Sequence, residues 1–401
     1  MAWLSGRWVA LLVFAHTLLP ADGFQSAILL GRQLHASPHS SLRRSVPEAK
    51  EAEIVAWSQT VAPEGTQLLI TDIDDDIPLA AMFWNVVADL KGTALFAFPL
   101  ASFSLTAFAE MVQDLDFGIQ LTELADAPCP AMLCEYHTTG VYTNPALEPS
   151  AMKRWVQDVI VDSRVCPYTK TADLAGIGVA GVNPGAIGYP VCRVVGSDTA
   201  AMCAVIASFW NNCLDLLNTP SDDLSTILLC APGVVPDSHE QFVRVSDAIV
   251  KTMQLAGANR YVSLVFFHPM YDRELVEPKD LLTHGHLPPH SWLSSYLKLH
   301  RTEDEVNALT DEDLRKANYQ RRSPYYVINV LRAYQVAKAE NVVPWEIIEP
   351  EPGRQMRVSG ARIYAQNTWR FATDSEMKQD PVSGYEYRVS LPFSRDDGDS
   401  N

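Results

Sequence analysis

The stretch VCRVVGSDTAAMCAVIASFWNNCLDLLNTPSDDLSTILLCAP, residues 191–232, decides the fold class. VCRVVGS reads as a strand. TAAMCAVIASFWNNCLDLLN is an apolar run long enough for a helix, and STILLCAP is a short buried strand closed by Pro232. Working outward, Ser150 is placed to cap a helix to about Ser163, with Trp155 and Val159 on one face. The Gly- and Pro-rich GIGVAGVNPGAIGYP follows and reads as a loop. Downstream, DSHEQFVRVSDAIVKTMQLAG is a helix ended by Gly257, and YVSLVFFHP is a strand. SPYYVINVLRAYQVAKAEN reads as the last long helix. Strands alternating with helices predict an α/β fold, a layered sheet with helices, over residues 150–372. Residues 272–317 form an insertion that carries THGHLPPH and a charged helical piece, RTEDEVNALTDEDLRKANYQ. Residues 373–401 read as a loose polar tail.

Residues 54–145 follow a similar order. LLITD ends at Asp72 as RVVGSD ends at Asp198, and Phe83-Trp84-Asn85 matches Phe209-Trp210-Asn211. GTALFAFP ends at Pro99 as STILLCAP ends at Pro232, and Trp57 echoes Trp155. The first half then reads as a degenerate copy of one α/β unit; the alternative is two segments sharing strand–helix grammar by chance. GTALFAFPLASFSLTAFA is uncharged enough for a short membrane segment, but Pro99, Ser102, Ser104 and Thr106 favour strand, turn and helix.

The chain has 401 residues, 47% of them hydrophobic, which is enough for one large or two smaller cores. A net charge of −17 argues against nucleic acid or an anionic membrane surface as a partner. Seven cysteines, several among apolar residues, suggest core thiols in a reducing compartment rather than a disulfide framework.

The N-terminus has the layout of targeting segments. Arg7, an apolar run from Trp8 to Leu19 and then Ala21-Asp22-Gly23 make residues 1–23 a signal peptide. Residues 24–47 are rich in Ser, Arg and His and hold no acid, as in a transit peptide. The pair resembles the bipartite plastid presequence of algae with red-lineage complex plastids; the alternative is secretion. Without residues 1–47 the chain is more acidic still, and the mature part has no expected membrane span.

Three motifs fall at the predicted ends of elements. In SRVCPYTK, Cys166 precedes a Pro that resists helix continuation, and Lys170 is near enough to favour its thiolate. In FFHPMY, His268 stands at a strand's carboxyl end, where α/β sheets gather ligands and where a histidine can do acid–base work. In QRRSPYYVINVLR, Ser323 and Pro324 open the predicted helix, with Arg321 and Arg322 just before it. Tyr325, Asn329 and Arg332 would share one helix face, making an anion-facing terminus. Each motif has a plain structural reading: a buried thiol, a histidine bonded to a loop, a solvated helix face. His284, His286 and His290 lack the neighbours of a metal site. LLITDIDDD lacks the Gly-Thr of the metal-dependent phosphatases it brings to mind. No metal is expected, and no cofactor is assigned.

Taken in order, RWVQDVIVDSRVCPYTK, FFHPMYDRE and NYQRRSPYYVINVLR resemble the mostly bacterial domain of unknown function 1415 family over residues 152–345. The resemblance carries Trp155, Cys166, Pro167, Lys170, His268, Pro269, Tyr271, Asn318, Tyr319, Arg322, Ser323, Pro324, Tyr325, Leu331 and Arg332. The chain departs from the family pattern at Tyr326, at Asn329 (usually His) and at Ala333 (usually an acid). The resemblance implies a fold and a site, but no reaction.

Two functions are compatible with these residues. One is an enzyme acting on a small anionic metabolite, with catalytic Cys166 and His268 and with Lys170, Arg322, Ser323, Tyr325, Asn329 and Arg332 binding substrate. The other is a non-catalytic ligand-binding, assembly or regulatory protein of the plastid. The first requires Cys166, His268 and Arg322 to line one hollow.

Overall fold

The computed structural model describes residues 28–29 and 46–390, apart from 100–103, 139–140, 177, 180, 235–237, 276–293, 296, 299–300, 343–345, 352–353 and 359–360. The proposed signal peptide, most of residues 24–47, the histidines at 284, 286 and 290, and the end of the tail lie outside the described residues.

The first half runs β1 (Ile28–Leu29), α1 (Glu48–Val61), β2 (Gln67–Ile70), α2 (Asp76–Asp89), β3 (Lys91–Ala97), α3 (Leu105–Asp114), β4 (Gln120–Glu123) and β5 (Ala131–His137). Its sheet has the order β1-β2-β3-β5-β4, with β2 parallel to β3 and the β5 pairings antiparallel. The acidic turn after β2 is a cap: Asp75 accepts the Ile77 N–H at the start of α2. The uncharged stretch from Gly92 onward is strand, turn and helix.

The second half runs β6 (Tyr142–Thr143), α4 (Ser150–Trp155, continued by a π-helical segment Val156–Asp162), β7 (Thr169–Thr171), β8 (Leu174–Ala175), β9 (Gly185–Gly188) and β10 (Val194–Gly196). Then come α5 (Thr199–Asn218), β11 (Thr226–Ala231), β12 (Gly233–Val234), α6 (His239–Leu255), β13 (Val262–Phe267), α7 (Glu303–Asn307), α8 (Asp311–Arg315) and β14 (Tyr326–Arg332). The chain continues through α9 (Ala333–Val342), β15 (Glu346–Glu351), β16 (Arg354–Val358), α10 (Ala361–Thr373), β17 (Ser375–Gln379) and β18 (Glu386–Ser390). The main sheet has the order β13-β14-β11-β9-β8-β7. It curls into a half-barrel whose far strand, β7, meets the π-helical segment.

The two halves repeat one topology. In each, a strand parallel to the centre (β2, β9) is followed by the central strand (β3, β11), an antiparallel return (β5, β14) and an edge strand (β4, β13). The short connection at residues 124–130 becomes the excursion of residues 268–325. Helices α2 and α3 cover one sheet, α5 and α6 the other, and the two helical layers pack together in one continuous core. Phe83-Trp84-Asn85 and Phe209-Trp210-Asn211 meet at that seam. Trp84 and Trp210 are fully buried. Asn85 and Asn211 exchange reciprocal amide hydrogen bonds of 2.8 and 2.9 Å. Outside the layers, α1 with Trp57 and α4 with Trp155 cap smaller cores on the outer sheet faces. Helix α5 is long and apolar enough to cross a bilayer, but its apolar residues are largely buried here.

Three expectations fail. Residues 326–332 are a central strand, not the start of a helix. Tyr326, Ile328 and Val330 face the inter-helix core and Val327 faces the half-barrel, a period of two that a strand buried on both sides hides among apolar residues. Helix begins only at Ala333. GAIG, read as loop, is strand β9: at Gly185 the Ser221 carbonyl oxygen lies 2.1 Å from where a Cβ would stand. The tail is not loose through residue 390, because β17 and β18 pair and bury Tyr387 and Val389 against the half-barrel core.

Candidate functional site

Cys166 follows the π-helical segment. The Ser163 N–H reaches the Asp158 carbonyl at 3.2 Å, and the Cys166 N–H returns to Ile160 at 3.2 Å. Arg164 between them takes a left-handed φ of 53°, a conformation costly for a side chain of its size. Cys166 is the one half-buried cysteine of the seven. The others are buried, and burial pushes the thiols of Cys134, Cys203, Cys213 and Cys230 up to about 12. Cys166 packs on the half-barrel core with Tyr319, Tyr325 and Tyr385. Lys170 stands nearby, exposed.

His268 belongs to the other side. It is fully buried and stacks on Phe242 of α6, with ring centroids 4.8 Å apart. Its N–H donates to the Arg321 carbonyl, and its Nδ1 accepts the Met270 N–H at 3.1 Å. The six-stranded sheet thus separates His268 from Cys166, and the two do not meet in one hollow.

The remaining motif residues are committed to the fold. Ser323 caps no helix: it is buried and donates to the Tyr325 carbonyl at 2.5 Å. Tyr325 donates to the Glu148 carbonyl, and burial raises its phenol. Asn329 accepts from Thr226 Oγ1 at 2.7 Å. With strand geometry Tyr325 and Asn329 share a face and Arg332 takes the opposite one. Arg332 is buried and donates to the carbonyls of Leu216, Thr219 and Leu224, closing the end of α5. Arg322 donates through Nε to the Tyr271 carbonyl and lies 4.8 Å over the Tyr319 ring. The expected shared helix face and anion-facing helix terminus are therefore absent from this segment.

Two features escaped the sequence. His239, the first residue of α6, lies 6.3 Å from His268; its Nε2 is sealed from solvent without a partner, and burial lowers its pKa. The C-terminal hairpin straps the π-helical segment. Arg154 donates to Asp380 through Nε and Nη2, Tyr387 donates to Asp158 at 2.5 Å, and the Ser390 N–H donates to Ser163 Oγ at 3.1 Å. The Arg154 guanidinium holds the Asp380 carboxyl well below the usual range. A strand pair so far along the chain leaves no local signature of its partner. Among the described residues no group of His, Cys, Asp and Glu is arranged for a metal ion.

Residues 149–309 match the model of a family described as Protein of unknown function (DUF1415). This part of the chain is a domain of that family. The match contains Cys166 and His268 and stops before the Arg-Ser-Pro-Tyr segment. No curated protein and no solved structure matches the chain.

Proposed function

We propose that this protein is a plastid ligand-binding protein for a small anionic molecule, working without a Cys166–His268 catalytic pair. The carrying observation is that these two side chains border different cores across the six-stranded sheet. Proton transfer needs direct hydrogen-bond reach or one bridging water, which a sheet between the partners denies. The polar side chains Ser323 and Arg332 are spent on internal carbonyls, as suits a scaffold. An enzyme built on Cys166 needs a different base, and position 329 offers an amide where the resembling family carries histidine.

The test is a thermal-shift screen of the full chain against phosphorylated and carboxylated plastid metabolites, run on the wild type and on Cys166→Ala. The expected result is a ligand whose stabilisation survives the substitution. Turnover of a metabolite that disappears in Cys166→Ala defeats the reading. For location, residues 1–47 fused to a fluorescent protein should reach the plastid of an alga with a complex plastid; export to the medium contradicts it.

A further inference from the structure

Among the described residues, two arginines converge on one tyrosine without a carboxylate partner. Arg322, just before β14, places its Cζ 4.8 Å from the Tyr319 ring centroid, and Arg388 of β18 places its own 5.5 Å away. The two cations are therefore no more than about 10 Å apart, roughly one Debye length, and feel each other's charge. The ion pairs of the region go elsewhere: Arg315 to Asp272, Lys316 to Asp313, Arg154 to Asp380.

Counting donors sharpens the point. Arg322 spends Nε on the Tyr271 carbonyl and leaves its two Nη groups uncommitted. Arg388 spends Nη1 on the Ser375 carbonyl and Oγ at 3.0 and 3.1 Å. Its Nε is shielded from solvent and donates to nothing. Each guanidinium thus keeps one complete two-donor edge, the fork that fits an oxyanion. Tyr319 and Tyr385 pack together on the half-barrel core beside these arginines. Shielded cationic donors without acceptors are costly, and an arriving anion relieves that cost.

We propose that Arg322 and Arg388, which share the Tyr319 ring, bind a small phosphate-type oxyanion beneath the C-terminal hairpin. Two full positive charges, each with a two-donor fork, match a tetrahedral dianion better than a singly charged carboxylate. The site rests on the anion-binding reading above and gives it a place. The anion is either free phosphate or the phosphate of a small ester.

The experiment is calorimetric titration of the full chain with inorganic phosphate and, separately, with simple phosphate monoesters. One saturable site is expected. Arg322→Gln and Arg388→Gln should each weaken it about tenfold or more, the loss of charge-assisted hydrogen bonds. Arg322→Lys keeps the charge but not the fork, touches no hairpin contact, and should still weaken binding severalfold. It therefore decides the question if Arg388→Gln loosens the hairpin. Tighter binding of an ester than of phosphate identifies the ester as the ligand; equal or weaker binding identifies free phosphate. No saturable binding of either, or binding that both arginine variants leave unchanged, overturns the site. If the thermal-shift screen still finds an anionic ligand in that case, only this location is lost.

Discussion

The two halves share a topology and differ in what they add to it. The first is a sheet, two inner helices and one outer helix, with residues 124–130 as its plain turn. The second puts a π-helical segment, a curled sheet edge, the excursion of residues 268–325 and a strapping hairpin on the same frame. All the uncommitted arginine edges described above, and the only half-buried thiol, belong to those additions. The shared frame provides packing, and the additions hold the residues proposed above to bind an anion, as expected where function lives in sites grafted onto a fold.

This comparison can be broken most directly at the seam. Trp84→Ala and Trp210→Ala should each cost about 3–5 kcal/mol, the usual price of emptying a large aromatic site. Both should lower a single unfolding transition, because one core spans both halves. Two separated transitions in calorimetry, or one tryptophan costing far less than the other, would show that the halves are not equivalent partners.

Next in size is Arg332, whose three carbonyl acceptors lie at the end of α5 and just beyond it. Arg332→Met should cost about 2–3 kcal/mol in denaturant unfolding, since it strands buried acceptors. Unchanged stability would mean that the end of α5 needs no such closure.

The strap is peculiar to the second half and should respond to acid. The Asp380 carboxyl is depressed by Arg154, so its contribution is complete above the ordinary aspartate value near pH 4 and is lost as pH falls through the lower folded value. Asp380→Asn should open residues 375–390 to limited proteolysis at neutral pH, and peptic cleavage there should lose its dependence on acid. Protection equal to wild type would remove the ion pair from the account.

The smallest effect belongs to the asparagine pair. Asn85→Ala and Asn211→Ala should each cost about 1 kcal/mol or less, and the double variant little more than either, as for a single shared interaction. Strict additivity would mean the two amides act independently.

How much was legible follows from locality. Helix α5, strands β11 and β13 and the Phe-Trp-Asn echo were read from short-range pattern, and the structure has them. Residues 326–332 were misread because Tyr, Val, Ile and Leu satisfy a helical period as well as a strand's, and only pairing with β11 and β13 decides between them. The placement of Cys166 against His268 was illegible for the same reason: which sheet face a strand end serves depends on register. Arg388 became visible beside Arg322 only once the tail was seen to fold back.

That fold-back governs when the second half can become itself. Arg154 and Asp380 are separated by 226 positions, and Tyr387 and Asp158 by 229. On a ribosome the first half has every strand it needs long before the final hairpin arrives, while the Cys166 region stays unfinished until nearly the last residue is free. A chain stopped short of residue 375 would therefore be a finished half joined to an open one, and quality control should meet it as such.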